Sequence, residues 1–274
     1  MTTDGMPKLH TLRRGSPGAL PLVLLHAFPV DHRMWLDVTD LIAGDRTVLA
    51  PDLPGFGTSP SGPDVAERLG AGPSPSVDVM GDGVVAALGH AGIRRAAVAG
   101  LSMGGYVAMS IVVRLPELVA GLGLLDTKAT ADDDAARAKR LEVAETVLAD
   151  QRVDAVLGMR ISVLGATNRV ARPDLVERIE AWIADQGPQA VAWAQRAMAA
   201  RPDRTEVLAG YRGPALVIVG EEDELSPVSA ARQMADHLPD VELVVVPRAG
   251  HLTGNASPEP GASALMRLLR RVEA

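Results

Sequence analysis

The chain has 274 residues, a formal net charge of −7 and 47% hydrophobic residues. This length suits one sizeable α/β domain with an insertion better than two independent enzymatic domains. The negative charge, with no block of Lys and Arg, disfavours a nucleic-acid partner, which would need a basic surface. The chain has no cysteine, which excludes disulfides, thiolate catalysis and thiolate metal sites.

The N-terminal residues Met1–Gly5 lack the basic and apolar regions of a signal peptide. The longest apolar run, around Leu20–Ala27, is far shorter than the roughly 18 residues that a membrane span requires. We therefore expect a cytoplasmic protein that contacts no membrane. Whether it forms a homodimer stays open.

Short apolar runs, taken in chain order, predict a mostly parallel sheet. The first segment, Lys8–Arg14, alternates weakly and is expected to be an antiparallel edge strand. The later runs are apolar throughout, which is typical of strands covered on both faces. Segments with helical periodicity separate them, and this alternation indicates a doubly wound α/β sheet. The predicted strands are Leu22–His26, Thr47–Ala50, Ala96–Ala99, Gly121–Leu125, Ala215–Val219 and Val241–Val246, and the predicted helices include Asp78–His90, Gly104–Leu115 and Val228–His237.

One interval breaks the alternation of strands and helices. From Thr127 to about Leu208 the sequence contains no strand-like run and indicates several helices. Two of them are expected to start at Pro173 and Pro188, because proline is tolerated in the first helical turn. The acidic run Asp132–Asp134 is expected to cap the first helix rather than to bind a metal.

These patterns divide the chain into two parts. Residues 1–126 and 209–274 are expected to form an α/β core, and residues 127–208 a helical cap, or lid, over the carboxyl edge of the sheet. Within the core, the Pro-, Gly- and Ser-rich stretch Ser59–Ser76 is expected to be a long surface loop.

The motif that most strongly indicates chemistry is Gly100-Leu101-Ser102-Met103-Gly104-Gly105. A predicted strand precedes it and a predicted helix follows it. A sharp strand-to-helix turn of this kind needs small residues beside the serine and exposes its hydroxyl at the N-terminus of the helix. We therefore expect Ser102 to be a nucleophile rather than part of a turn that only packs a helix against the sheet.

A serine hydroxyl needs a base, and the base needs an acid that fixes its tautomer. His251 lies in a loop after the last predicted strand and is the expected base. Asp223, in the loop after the strand Ala215–Val219, is the expected acid, with Asp126 as the alternative. Glu221, Glu222 and Glu224 are expected to lie in a solvated turn, and His10, His90 and His237 to be solvated, whereas His26 and His32 are expected to line the site.

An acyl-transfer reaction also requires hydrogen-bond donors for an oxyanion. We expect the backbone N–H of Met103, the residue after the nucleophile, to be one donor. The second is expected to be the N–H of Phe28, in the loop His26-Ala27-Phe28-Pro29 after the first parallel strand. The Phe28 ring would then border the acyl pocket.

Together these residues resemble the α/β-hydrolase superfamily over nearly the whole chain. The resemblance rests on five segments: His26-Ala27-Phe28-Pro29, Pro51-Asp52-Leu53-Pro54-Gly55-Phe56-Gly57, Gly100-Leu101-Ser102-Met103-Gly104-Gly105, Gly220-Glu221-Glu222-Asp223-Glu224-Leu225-Ser226-Pro227 and Gly250-His251. Within the superfamily the chain is similar to the capped esterase and lactonase group that includes 3-oxoadipate enol-lactonases. It implies a Ser-His-Asp mechanism without a metal or an organic cofactor. Two departures are Ala27, where a glycine usually follows the histidine, and Ala256, where relatives often have Glu.

The expected function is therefore that of a serine hydrolase that cleaves a carboxylic ester or lactone through an acyl-enzyme. The expected partner is this small-molecule substrate. The alternatives are a C–C bond hydrolase or a cofactor-free perhydrolase of the same fold, or a ligand-binding sensor that retains the triad. Phe28, His32 and Trp193 are candidate substrate contacts. Trp182, Trp193, Met159 and Met198 are the apolar cap residues considered for the pocket, although each suits the core of the cap better.

Overall fold

The computed structural model describes residues 5–274, and its centre is a seven-stranded sheet in the order β1-β3-β2-β4-β5-β6-β7. β1 is antiparallel to β3, and all other neighbours are parallel. Most of the segment interpreted as lacking a signal peptide, residues 1–4, lies outside the described residues. The strands are β1 (Leu9–Arg13), β2 (Leu22–Leu25), β3 (Val48–Pro51), β4 (Ala96–Leu101), β5 (Val119–Leu125), β6 (Ala215–Gly220) and β7 (Val241–Val246).

Helices cover both faces of the sheet and fill the interval between β5 and β6. Within residues 5–274, none of them has both the length and the apolar character needed to cross a bilayer. In chain order they are α1 (Leu36–Leu41), α2 (Gly62–Arg68), α3 (Val77–His90), α4 (Met103–Arg114), α5 (Asp134–Asp150), α6 (Asp154–Leu157), α7 (Met159–Ser162), α8 (Ala166–Ala171), α9 (Pro173–Ala184), α10 (Pro188–Ala199), α11 (Thr205–Gly210), α12 (Val228–His237), α13 (Thr253–Ala256) and α14 (Pro258–Glu273), with short 3₁₀ helices at His32–Trp35 and Pro116–Leu118.

The predicted α/β class and strand pattern are confirmed. Strands β2, β3, β4, β5 and β6 are buried along their whole length, which explains why their sequences are apolar throughout rather than alternating. β1 is the antiparallel edge strand and is only partly buried. Because the parallel strands share one direction, the loops after β2, β4, β5, β6 and β7 all begin at the same edge of the sheet.

The prediction of a long surface loop over Ser59–Ser76 was partly wrong. This stretch contains the helix α2, whose first turn includes Pro63. The Ser61 hydroxyl caps the helix by accepting a hydrogen bond from the Asp64 N–H at 3.3 Å. The same Pro and Ser residues that suggested a loop are therefore helix-starting residues here.

The interval between β5 and β6 is helical among the described residues, as the sequence predicts. α9 and α10 begin at Pro173 and Pro188. In the acidic run before α5, Asp133 caps the helix by accepting from the Ala136 N–H at 2.8 Å, as expected. Asp132 has a different role, because its carboxylate is buried against arginine side chains.

The start of α4 lies directly against the end of β2. A Cβ atom at Gly104 would be 2.2 Å from the Leu25 carbonyl oxygen, a distance that no side chain can occupy without moving the backbone. The glycine therefore sets how closely the helix approaches the sheet.

We expect Gly104→Ala to lower the free energy of unfolding by about 1–3 kcal/mol, because the added methyl group would overpack two backbone segments. Gly89→Ala is the matched control, since Gly89 also lies in a helix, α3, and its Cβ would meet no atom within 4 Å. The control is expected to be neutral or more stable by about 0.5–1 kcal/mol. Urea unfolding of both variants measures the difference, and equal effects would contradict this account of Gly104.

Candidate active site

Ser102 occupies the turn between β4 and α4 in a backbone conformation that is rare for L-residues, with φ 53° and ψ −112°. The Ser102 N–H donates to the Leu125 carbonyl at 2.9 Å, and the Ser102 carbonyl accepts from the Thr127 hydroxyl at 2.9 Å. These contacts from the end of β5 hold the turn in place. The serine thus stands at the N-terminus of α4, as the motif predicts.

The glycines of the motif are needed by the close contacts within this turn. A Cβ at Gly100 would be 2.1 Å from the Gly104 carbonyl oxygen, and one at Gly105 would be 2.6 Å from the Thr127 side chain. Their absence of side chains permits the sharp turn that exposes Ser102.

His251 and Asp223 form a buried pair. The His251 Nδ1–H donates to Asp223 Oδ2 at 2.9 Å, and the two residues are only 3% and 5% exposed. The other carboxylate oxygen of Asp223 accepts from the N–H groups of Leu225 and Ser226 at 2.8 and 3.0 Å. This arrangement leaves the Nε2 atom of His251 available to a nucleophile.

Asp126, the alternative acid, hydrogen-bonds to groups other than His251. Its fully buried carboxyl accepts from the Gly220 N–H at 2.9 Å and from the N–H and hydroxyl of Thr253. It therefore connects the start of the Asp223 loop with the residue two positions after His251. Burial raises its pKa well above the ordinary value, and the charge of Asp223 raises it further.

The sequence predicts that His26 lines the site, but its fully buried side chain holds the loop after β2 instead. Leu53 N–H donates to His26 Nε2 at 2.8 Å, so the proton is on Nδ1, which donates to the Ala27 carbonyl at 2.9 Å. Burial lowers the pKa of this ring, although the contact with Ala27 acts in the opposite direction. His26 thus ties the loop that carries Phe28 to the segment after β3.

The predicted oxyanion donors are the backbone N–H groups of Met103 and Phe28. The Met103 N–H is the first of α4, and the first N–H groups of a helix have no partner within it. In the loop after β2, the Ala27 N–H donates to Met34 Sδ at 3.1 Å. No hydrogen bond of the Phe28 N–H is found among residues 5–274.

Ser102 and His251 line the same cavity, of about 160 Å³. No hydrogen bond joins the Ser102 hydroxyl to His251 among the described residues, and such bonds commonly tighten only when substrate binds. The remaining lining residues are Phe28, Tyr106, Lys128, Arg140, Met159, Met198, Leu225 and Ser226. Phe28 is thus where the sequence predicts it.

The structure does not bring the other two candidate substrate contacts to this cavity. His32 binds Asp52, with 2.7 Å between Nδ1 and Oδ1. The Trp193 ring packs on Gly62, where a Cβ would be 2.3 Å from the indole, and it lines a separate depression beside α2. Met198, on the same helix, does line the cavity. Helical spacing alone could not show that the face of α10 with Met198, rather than the one with Trp193, points toward Ser102.

His10, His32 and Asp52 form one compact cluster. Asp52 accepts from both histidines, at 2.8 and 2.7 Å, so His10 is not simply solvated as expected. The two rings stack at 3.6 Å with 8° between their planes. Lone pairs in parallel planes do not converge on one ion at about 2.0–2.1 Å, the distance for a zinc-bound imidazole. This cluster therefore fits a metal poorly and serves to join β1 to the segments that carry His32 and Asp52.

A larger cavity, of about 760 Å³, opens at the opposite edge of the sheet. Its lining includes Pro21, Thr47 and Arg95, which directly precede β2, β3 and β4. Ligands of open α/β sheets bind beyond the carboxyl ends of the strands, which is where Ser102 lies. The smaller cavity is thus the candidate active site.

The model of the alpha/beta hydrolase fold family matches residues 21–254, and the chain belongs to this family. The chain is 30% identical over 261 residues to the dihydrolipoyllysine-residue acetyltransferase component of an acetoin cleaving system from Pseudomonas putida, covering 94% of this chain but only 65% of that protein. It is 27% identical to the pimeloyl-[acyl-carrier protein] methyl ester esterase of Aromatoleum aromaticum, covering 91% and 98% of the two chains.

Solved structures resemble the chain over its whole length. A thermophilic esterase from Thermogutta terrifontis, solved with malate bound, shares 33% identity and a TM-score of 0.89, covering 100% of this chain and 97% of that one. The enol-lactonase from Burkholderia xenovorans LB400 has a TM-score of 0.80, with 96% of each chain covered. Its 21% identity supports the shared fold alone.

We expect Asp223→Asn to lower kcat by about 10³–10⁴, because an amide can hold His251 in the wrong tautomer. Glu224→Gln is the matched control, since its side chain is 75% exposed, and it should stay within about tenfold. Steady-state assays after a thermal-melt check of folding measure both. If Asp126→Asn is the crippled variant and Asp223→Asn is not, the acid comes from β5.

The raised pKa of Asp126 predicts how stability depends on pH. The native state holds this proton more tightly than the unfolded chain, whose aspartates ionise near pH 3.9. The stability that Asp126 contributes through this proton is therefore fully present below about pH 3.9. It is lost as the pH rises from there through the native pKa. Relative to wild type, Asp126→Asn should gain up to about 1.4 kcal/mol per pH unit in this window.

Urea unfolding between pH 4 and 8 measures this dependence. Asp134→Asn, which removes the same charge from a fully exposed side chain, is the control for net charge. If the wild type and Asp126→Asn keep a constant difference in stability over the whole range, the native carboxyl is ionised and the prediction is wrong.

Proposed function

We propose that this chain is a serine hydrolase that cleaves a carboxylic ester or lactone through an acyl-enzyme intermediate. The observation that carries the proposal is the meeting of two separately built features in one cavity. These are Ser102 at a strained strand-to-helix turn and the buried His251–Asp223 pair. The 33% identity to an esterase and the 27% identity to a methyl ester esterase support the same reaction class.

In the proposed mechanism the Ser102 hydroxyl oxygen attacks the substrate carbonyl while His251 Nε2 takes its proton. Asp223 stabilises the imidazolium that forms and fixes the ring orientation. The tetrahedral oxyanion is bound by the N–H groups of Met103 and Phe28. The C–O bond to the alcohol then breaks, and His251 returns the proton to the leaving oxygen.

The second half of the reaction repeats these roles with water. His251 removes a proton from a water molecule that attacks the acyl-enzyme carbonyl, and the same two N–H groups bind the new oxyanion. When the Ser102–acyl bond breaks, His251 protonates the serine oxygen and the carboxylic acid leaves. Each proton that His251 accepts is returned within the same half-reaction.

We further propose that residues 127–208 act as a cap over this cavity. Lys128, Arg140, Met159 and Met198 all come from this segment and line the cavity beside Ser102. A backbone hydrogen bond from Leu252 N–H to the Val163 carbonyl, at 3.0 Å, joins the segment to the residue after His251. Glu222 also joins it to the Asp223 loop, since it accepts from the Thr167 N–H at 2.8 Å rather than lying in a solvated turn.

A fluorophosphonate should attach stoichiometrically to Ser102 and abolish hydrolysis, since the proposed mechanism depends on this one hydroxyl. Mass spectrometry locates the adduct, and Ser102→Ala should be unlabelled and inactive. A panel of p-nitrophenyl esters and lactones then tests for multiple turnovers. An adduct on another serine would contradict the nucleophile, and labelling without turnover would point to a ligand sensor instead.

A further inference from the structure

The cavity beside Ser102 has a cationic part. Lys128 and Arg140 are its two formally charged lining residues, and Phe28, Met159 and Met198 are among the apolar ones. The side chains of Lys128 and Arg140 are 27% and 22% exposed, so bulk water screens their charges only in part. Charge of one sign inside a small apolar cavity favours a ligand of the opposite sign.

The protein supplies less negative charge there than positive charge. The buried carboxylate of Asp132 lies 3.3 Å from Lys128 Nζ and 2.5 Å from Arg140 Nε. It also accepts from both terminal nitrogens of Arg201, at 2.7 and 2.8 Å. One carboxylate therefore faces three cations, which leaves an excess of two positive charges.

The neighbouring carboxylates are already engaged. Asp223 is paired with His251, and Asp78 binds Arg204 at 2.7 Å. Burial alone would raise the pKa of Asp132, but hydrogen bonds from Arg201 and the charge of Arg140 hold it below its usual range. Asp132 thus contributes a full negative charge, but the three cations around it still leave a net positive charge.

Part of the hydrogen-bonding capacity of these cations is unused. Arg140 directs Nε to Asp132 and Nη1 to Gln195 Oε1 at 3.1 Å, and no hydrogen bond of its Nη2 is found within residues 5–274. Lys128 Nζ has only the ion pair with Asp132 over the same part of the chain. A guanidinium edge beside an ammonium suits a carboxylate, which can accept from both.

The volume of the cavity suits a small ligand. At about 160 Å³ it is close to the engineered cavity of roughly 150 Å³ that holds one benzene molecule. A substrate that reaches both Ser102 and the cations within this space has only a few carbon atoms between its ester carbonyl and its anionic group.

We propose that the cavity takes a small ester or lactone that bears a carboxylate, and that Lys128 and Arg140 bind this carboxylate while Ser102 attacks the carbonyl. The inference rests on the proposed function and deepens it. The carboxylate could belong to the acyl part or to the alcohol part of the substrate, and the two positions are separated by the choice of ester.

The test compares esters that differ in charge but hardly in shape. Monomethyl succinate has the carboxylate on its acyl part, and methyl 4-oxopentanoate replaces that group by a neutral methyl ketone. Acetoxyacetate, compared with acetoxyacetone, places the carboxylate on the alcohol part. In at least one pair, kcat/KM of the anionic ester should exceed that of the neutral one by about tenfold or more, as charge-assisted hydrogen bonds give. Added salt should reduce this ratio.

Lys128→Gln and Arg140→Gln should each lower the anionic-to-neutral ratio by about tenfold. The ratio is the readout because general damage to the active site lowers both rates alike. Lys139→Gln is the matched control, since it removes one charge from the neighbouring position on α5, where the side chain is 68% exposed. It should leave the ratio unchanged.

Calorimetry with succinate tests the cationic subsite without turnover. Binding that weakens about tenfold in Lys128→Gln and Arg140→Gln, but not in Lys139→Gln, supports the proposal. No binding of succinate together with a ratio near one in both ester pairs overturns it, even if neutral esters are hydrolysed and the proposed function stands. If no ester is hydrolysed, the proposed function fails, and the calorimetric result alone decides the anionic subsite.

Discussion

The candidate site depends on holding the backbone of Ser102 in a left-handed conformation, with φ 53°. Such a residue costs on the order of 1–3 kcal/mol and persists only where its surroundings over-determine it. Here the constraint comes from both sides of the peptide, since Leu125 accepts from its N–H and Thr127 donates to its carbonyl. The flanking glycines allow these backbone contacts to close, because a Cβ at any of them would clash.

The end of β5 therefore holds more than the turn at Ser102. Asp126 lies between the two residues that hold Ser102, and its carboxyl contacts the loops of both Asp223 and His251. Two carboxyls at neighbouring strand ends cannot both ionise cheaply in a buried site. Both carboxyls accept from two N–H groups, but Asp223 also has a histidine partner for its charge, whereas burial and the charge of Asp223 raise the pKa of Asp126 despite its hydrogen bonds. The environment thus separates two residues that the sequence left as alternatives.

The sequence could predict the strands and the loops that carry Ser102, Asp223 and His251, because apolar runs mark buried strands and parallel strands end at one edge. It could not predict polar pairs between distant segments. Asp132 binds Arg201, which is 69 positions away, and nothing in the local pattern of either residue indicates this contact. The prediction that Trp193 contacts substrate was wrong for a related reason. The helix α10 is buried on more than one face, and periodicity does not identify what each face contacts.

The residues that line the cavity come from two parts of the chain. Ser102, His251 and Phe28 lie in the turns and loops that follow the strands β4, β7 and β2 of the sheet. Lys128, Arg140, Met159 and Met198 come from the helical segment between β5 and β6, and they reach the cavity through their side chains. Side chains such as Met159 and Met198 can change the width of the cavity, whereas Thr127, at the start of the same interval, also holds the turn at Ser102. Under the proposed function, residues 127–208 would therefore set much of the substrate preference, while the reacting groups come from loops of the sheet.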